Sequence, residues 1–142
     1  ATRLDRQRGY GIALGSRTHG ATPSEYLDRL ALQNLIFDDD IRLERIVAND
    51  GQPIIITSQP FIKGDTPTQD ALDELMLAKG YDNLAEGAYY DERAGLLMFD
   101  LFPRNAIQAA DGRIYPIDPV IQRITPDFGQ FLREHPYTIN LR

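Results

Sequence analysis

At 142 residues the chain is one domain's worth of sequence, since domains run to roughly 100–200 residues and one of this size buries about 68–70% of its unfolded surface. A hydrophobic share of 42% with 25% charged residues argues against disorder, and a net charge of −6 argues against an extended surface for nucleic acid. With no cysteine there is neither a disulfide scaffold nor a thiolate metal site, which fits a cytoplasmic location, and no apolar run nears the ~18–20 residues that span a bilayer.

The first 21 residues are rich in Arg and Gly with little hydrophobic periodicity, so they are expected as a weakly structured lead-in. The chain opens on Ala1 rather than Met, which predicts an excised domain or a processed chain. A helix is predicted from Thr22-Pro23-Ser24-Glu25 to Phe37. Thr22 caps it, Pro23 suits its first position, and Glu25 completes a capping box. Tyr26, Leu27, Leu30, Ala31 and Leu35 supply an apolar face at helical spacing. Asp38-Asp39-Asp40 stops the helix and reads as a solvated terminus rather than a cation site.

Two strands follow, marked by Ile41, Leu43, Ile46 and Val47 and then by residues 53–57. Asn49-Asp50-Gly51 between them is hairpin chemistry, because these residues accept positive φ. Residues 58–64 run on as an extended connector. A second helix is expected with Thr66 as cap and Pro67 at its first position; Leu72, Leu75 and Met76 face inward and Gly80 stops it. Tyr89-Tyr90 reads as core and rim packing. Residues 96–102 and 113–117 read as strands with Ala110-Asp111-Gly112 as the turn between them, and Thr125-Pro126-Asp127 opens a short helix to Leu132. His19 and His135 read as surface or loop residues, since neither has the spaced partners of a metal site. The whole is an α+β pattern over residues 1–142 as a single domain, with a tail from 121 to 142.

The stretch that carries chemistry is Phe99-Asp100-Leu101-Phe102-Pro103-Arg104-Asn105, continued by Asp111-Gly112-Arg113-Ile114-Tyr115-Pro116-Ile117-Asp118. An acid ends an apolar run, an Asn follows five positions on, and a second Asp thirteen after that. This is the spacing of a phosphotransferase catalytic loop and its metal-binding Asp. Asp100 can orient a hydroxyl nucleophile or accept its proton. The Asn105 carbonyl and the Asp118 carboxylate are hard oxygens suited to Mg²⁺ on phosphates. A hairpin between them would bring residues thirteen apart into one pocket.

These residues resemble the protein-kinase-like superfamily and, more narrowly, the kinase-like domain of polyvalent proteins from phages and mobile elements. The likeness covers residues 22–120 and takes in Gln33-Asn34, Phe37-Asp38-Asp39 and Gln59-Pro60-Phe61-Ile62-Lys63-Gly64. It implies a reduced or partial kinase-like fold, with an αC-like helix, a hinge hairpin and a catalytic-loop hairpin. It also implies Asp100 as the catalytic Asp, Asn105 and Asp118 as Mg²⁺ ligands, and Gln59, Phe61 and Ile62 as hinge positions whose backbone meets the adenine of ATP. The implied function is transfer of the ATP γ-phosphoryl to a hydroxyl acceptor, with nucleotide and a hydroxyl-bearing substrate as partners and no membrane.

Several positions depart from the kinase pattern. Met98 stands where kinases carry His, and Pro119-Val120 replaces Phe-Gly. The fold expects a phosphate-holding Lys on an early strand, yet Lys63 and Lys79, the only lysines, both follow the first helix. Gly9-Tyr10-Gly11-Ile12-Ala13-Leu14-Gly15 echoes a glycine-rich loop with altered spacing. The missing Lys separates the enzyme from its alternative, a catalytically inactive kinase-like module that binds or interacts within a larger polyvalent protein. A purely structural adaptor would need the Asp-Asn-Asp spacing to be chance. With so short a run before the first helix, the hairpin of residues 41–57 is expected to keep an open edge, met by self-association or by docking a segment of the parent protein.

Overall fold

The computed structural model describes residues 8–14 and 23–136, so Thr22, His19 and the end of the tail lie outside the described residues. The chain divides into two compact units, Ala1–Ile62 and Lys63–Arg142.

The first unit is a three-stranded antiparallel sheet with one helix. Its strands β1 (Arg8–Leu14), β2 (Arg42–Asn49) and β3 (Gln52–Pro60) lie in the order β1-β3-β2, and helix α1 spans Pro23–Phe37. Asp50 and Gly51 turn β2 into β3 with φ of +52° and +78°, the pair of positive angles that matches the twist of the strands. Within the expected weakly structured lead-in of residues 1–21, residues 8–14 form β1, which pairs along β3 from Arg8↔Pro60 to Leu14↔Ile54, and the rest of it lies outside the described residues. A glycine-rich strand has few side chains to carry a pattern, but its backbone groups pair as well as any. The same pairing carries β3 through Ser58, Gln59 and Pro60, in place of the expected connector.

Buried Tyr26 and Ile55 form the centre of this unit, with Leu27 and Leu30 packed against them. Arg29, Leu32, Gln33 and Phe37 are buried along the helix as well. Leu35 does not belong to the inner face: it is 80% exposed, because nine positions beyond Tyr26 at about 100° per residue it has come round to the opposite side. The acidic run serves the end of α1. Asp38 turns the chain at φ +49°, Asp39 accepts from the Gln33 amide at 3.1 Å, and Asp40 pairs with Arg42 at 2.9 Å. Asn34 bonds both backbone groups of Ile41, at 2.9 and 2.8 Å, and so ties the helix to the start of β2. In β2 the register steps between Leu43↔Thr57 and Arg45↔Ile56, leaving Glu44 as an extra residue whose carboxylate accepts the Ser58 hydroxyl.

In the second unit, strands β4 (Gly64–Asp65), β5 (Asp82–Ala85), β6 (Ala88–Asp91), β7 (Leu96–Phe99), β8 (Ala106–Ala109), β9 (Ile114–Pro116) and β10 (Val120–Arg123) accompany helices α2 (Gln69–Ala78) and α3 (Pro126–Glu134). They build two antiparallel sheets, β10-β7-β6-β5 and β4-β8-β9. The four-stranded sheet is covered on both faces, which is why Leu96-Leu97-Met98-Phe99 shows no apolar alternation. One face carries Tyr90 and Leu97 against Leu132 of α3. The other carries Tyr89, whose hydroxyl reaches Asp73 and Gln69 of α2. Among the described residues no helix is long and apolar enough to cross a membrane.

Three expectations are revised here. α2 is capped by Thr68, not Thr66: the Thr68 hydroxyl accepts from Ala71 N–H at 3.0 Å, and Pro67 lies outside the helix. Ala110-Asp111-Gly112 turns β8 into β9, so the strand that it continues is 106–109 and not 96–102. Tyr89 and Tyr90 are buried in the core, consistent with the packing role expected of them, in a hairpin with β5, which is too polar to stand out as a strand. Residues 120–123, rather than opening a tail, complete the sheet beside β7. The helix opened by Thr125 forms as expected, with the Thr125 hydroxyl accepting from Phe128 N–H at 3.2 Å.

Thr68→Ala should therefore lower unfolding free energy by about 0.5–2 kcal/mol, while Thr66→Ala, at an exposed position, should change it by less than about 0.5 kcal/mol; urea titrations of both variants distinguish the two caps.

The buried tyrosines make an alkaline limit. Burial, and then the nearby Asp91 carboxylate, push the Tyr81 phenol from 10.0 to about 12. Burial, followed by the 2.6 Å hydrogen bond to Asp73, pushes Tyr89 up further. Both phenols lose protons more readily when unfolded, so their contribution is complete below pH 10 and drains away as pH rises through about 12. Urea midpoints measured across that range should fall, and Tyr81→Phe should remove part of the fall.

Candidate active site

Asp100 follows the last residue of β7 with φ +64°, a left-handed conformation that costs an aspartate on the order of 1 kcal/mol. The next residue holds it there. Leu101 is wholly buried, and its N–H donates to Gly87 O in the β5–β6 turn at 3.2 Å. The Phe102 ring is buried against Gly87, and the Arg104 guanidinium lies 4.3 Å from its centroid, a cation–π contact. Pro103 opens a single 3-10 turn, Pro103–Asn105, where its fixed φ suits the first position.

Asn105 is the junction of the site. Its N–H donates to Phe102 O at 2.9 Å and its carbonyl accepts from Ile117 N–H at 2.6 Å. Its side-chain amide donates to both the carbonyl and the carboxylate Oδ1 of Asp100, each at 3.2 Å. The pairing of Ala106 with Pro116 thus continues one step beyond the β8–β9 ladder, to Asn105 and Ile117. Asp118 comes next, exposed and with φ +49°. The second unit brings Asp100 and Asn105 into direct contact and joins Asp118 to them through the backbone of Ile117.

By donor type, the Asn105 Oδ1 and the Asp118 carboxylate are hard oxygens of the kind Mg²⁺ takes, and the Asn105 amide nitrogen is committed to Asp100. Among the described residues no group of three or more His, Cys, Asp or Glu could hold a metal. Mg²⁺ needs no such cage, since it takes one or two protein oxygens and completes its shell with phosphate and water.

The expected hinge positions lie in the first unit. Gln59 is exposed and pairs with Gly9 of β1, whereas Phe61, 63% exposed, and Ile62 follow the end of β3. The departure at Met98 has a physical reason: it is wholly buried and pairs with Tyr89 on one side and Ile121 on the other, so the position demands an apolar side chain. Pro119, also fully buried, fixes the exit from Asp118 into β10. Sequence reasoning passes over Gly87, which has no signal beyond a Glu-Gly turn, and Arg104, whose stacking on Phe102 spacing does not reveal.

Residues 10–125 match the model of a family described as serine/threonine/tyrosine kinase found in polyvalent proteins. No match was found among curated proteins or among solved structures. The match covers most of the chain and contains every residue of the Asp100–Asn105–Asp118 arrangement, in a mixed α+β structure of antiparallel sheets with helices. The chain belongs to the kinase-like family of polyvalent proteins.

Proposed function

We propose that the chain is a phosphotransferase module that moves the γ-phosphoryl of ATP to a hydroxyl acceptor. The observation that carries the reading is Asn105, which holds Asp100 through its side chain and the Asp118 turn through its carbonyl. Asp100 would accept the acceptor's hydroxyl proton as that oxygen bonds to the γ-phosphorus. The bond to the bridging oxygen breaks, and its electron pair leaves with ADP. Asn105 Oδ1 and the Asp118 carboxylate would hold Mg²⁺, which supplies charge neutralisation at the phosphates. In the first unit, the backbone of Gln59, Phe61 and Ile62 would meet the adenine; Pro60 has no N–H to offer it.

A second reading, an inactive kinase-like binding module, is favoured by one observation. Lys63 and Lys79, the two lysines of residues 1–142, both lie beyond α1, whereas the kinase pattern holds the phosphates with a lysine on an earlier strand.

Melting curves with Mg²⁺ and a non-hydrolysable ATP analogue separate the two. The phosphotransferase should melt higher with ligand, because ligand binds the folded chain alone. Asp118→Asn should abolish the rise while leaving the unliganded melting temperature near wild type. An unshifted wild type at millimolar nucleotide favours the inactive module.

Where phosphoryl transfer or ATP hydrolysis is measured, Asp100→Ala should lower turnover by about 10²–10⁴, the usual worth of a positioned base. Undiminished turnover in that variant would assign the chemistry to another residue.

A further inference from the structure

The conformation of Asp100 is secured from outside its own loop. The β5–β6 turn, Glu86-Gly87, belongs to a hairpin remote in sequence, yet it makes two contacts with the residues that follow Asp100. Gly87 O accepts the Leu101 N–H at 3.2 Å. The α-carbon of Gly87 also lies so near the Phe102 ring that a Cβ there would stand 2.7 Å from Cε1 and Cζ and 3.1 Å from Cδ1. Gly87 has φ +77°, a backbone conformation that L side chains rarely adopt. Beyond the turn, Leu101 and Phe102 are buried, Phe102 supports the Arg104 guanidinium, and Asn105 N–H returns to Phe102 O.

We propose that the β5–β6 turn latches the catalytic loop, and that Gly87 is a positioning residue for Asp100. The turn holds Leu101 through the Gly87 carbonyl and Phe102 against the Gly87 α-carbon. A change of φ at Asp100 would have to displace these two buried neighbours. The device also determines what stands at residue 87: only a residue without Cβ lets the carbonyl and the ring approach together. The functional half of the proposal rests on the phosphotransferase reading of the loop; the latch itself does not.

Amide hydrogen exchange on the full chain tests it. Gly87→Ala should lower protection at the Leu101 and Asn105 amides by about tenfold or more, with the β7 amides of Leu97 and Met98 little changed. Gly80→Ala is the control, since Gly80 has φ +93° and a Cβ added there would meet nothing within 4 Å. It carries a like backbone cost and should leave loop protection intact. Adding Phe102→Leu to Gly87→Ala removes the ring overlap and should restore part of the Leu101 protection. Should Gly87→Ala not fold, Phe102→Leu alone should still reduce Asn105 protection. Equal loop protection in Gly87→Ala and Gly80→Ala, or an unchanged Asn105 amide in Phe102→Leu, overturns the latch. A parallel melting series with Mg²⁺ and the ATP analogue serves the functional half: the wild-type rise should shrink in Gly87→Ala and persist in Gly80→Ala. A wild type with no rise removes the phosphotransferase reading, and exchange decides the latch independently.

Discussion

One asparagine side chain and its own peptide groups hold Asp100 and the Asp118 turn in one arrangement. Asn105 closes the 3-10 turn, extends the β8–β9 ladder by a step, and grips Asp100 at two oxygens. Each bond is ordinary in strength, of the order of 1 kcal/mol net. Their value lies in where they converge. Asp100 and Asp118 stand eighteen positions apart in the chain, and both are tied to a single residue between them. A side chain without a donor at this reach would break the tie to Asp100 and leave the backbone ties to Phe102 and Ile117.

The four-stranded sheet supplies the rigid ground on which that junction stands. Met98 and Leu97 point to opposite faces, and each face has its helix, so β7 delivers Asp100 from a strand packed on both sides. β10, beginning at Val120 directly after Pro119, brings the chain back beside β7 and so anchors the far side of the Asp118 turn. The site is thus suspended between two neighbouring strands, with the β8–β9 hairpin as the span.

Much of this is legible in residue order. Pro23, the acidic stop after Phe37, Asp50-Gly51, and Thr125 before Pro126 are local signals whose chemistry acts over a few bonds, and each stands where its element begins, ends or turns. The Asp100, Asn105 and Asp118 spacing likewise leads to the residues that the second unit brings together. What escapes is non-local. Arg8–Leu14 has two glycines and an alternation too slight to notice, and only its partner β3 makes it a strand. Thr66 and Thr68 both precede a helical pattern, and the choice depends on β4 holding Gly64 and Asp65 in a ladder with β8. Leu35 is apolar and exposed, which periodicity counted over too long a span obscures. Gly87 cannot be found at all from spacing, because its meaning is a distance to a ring fifteen positions away.

Asp100 and Asp118 both sit at positive φ, in conformations that glycine or asparagine adopts with less strain. For the fold alone, glycine or asparagine at position 118 would carry less strain, whereas at position 100 the loss of the carboxylate would also remove the bond from the Asn105 amide. A screen of variants for abundance or heat resistance would then accept glycine or asparagine in place of Asp118, and would lose that carboxylate without registering a cost.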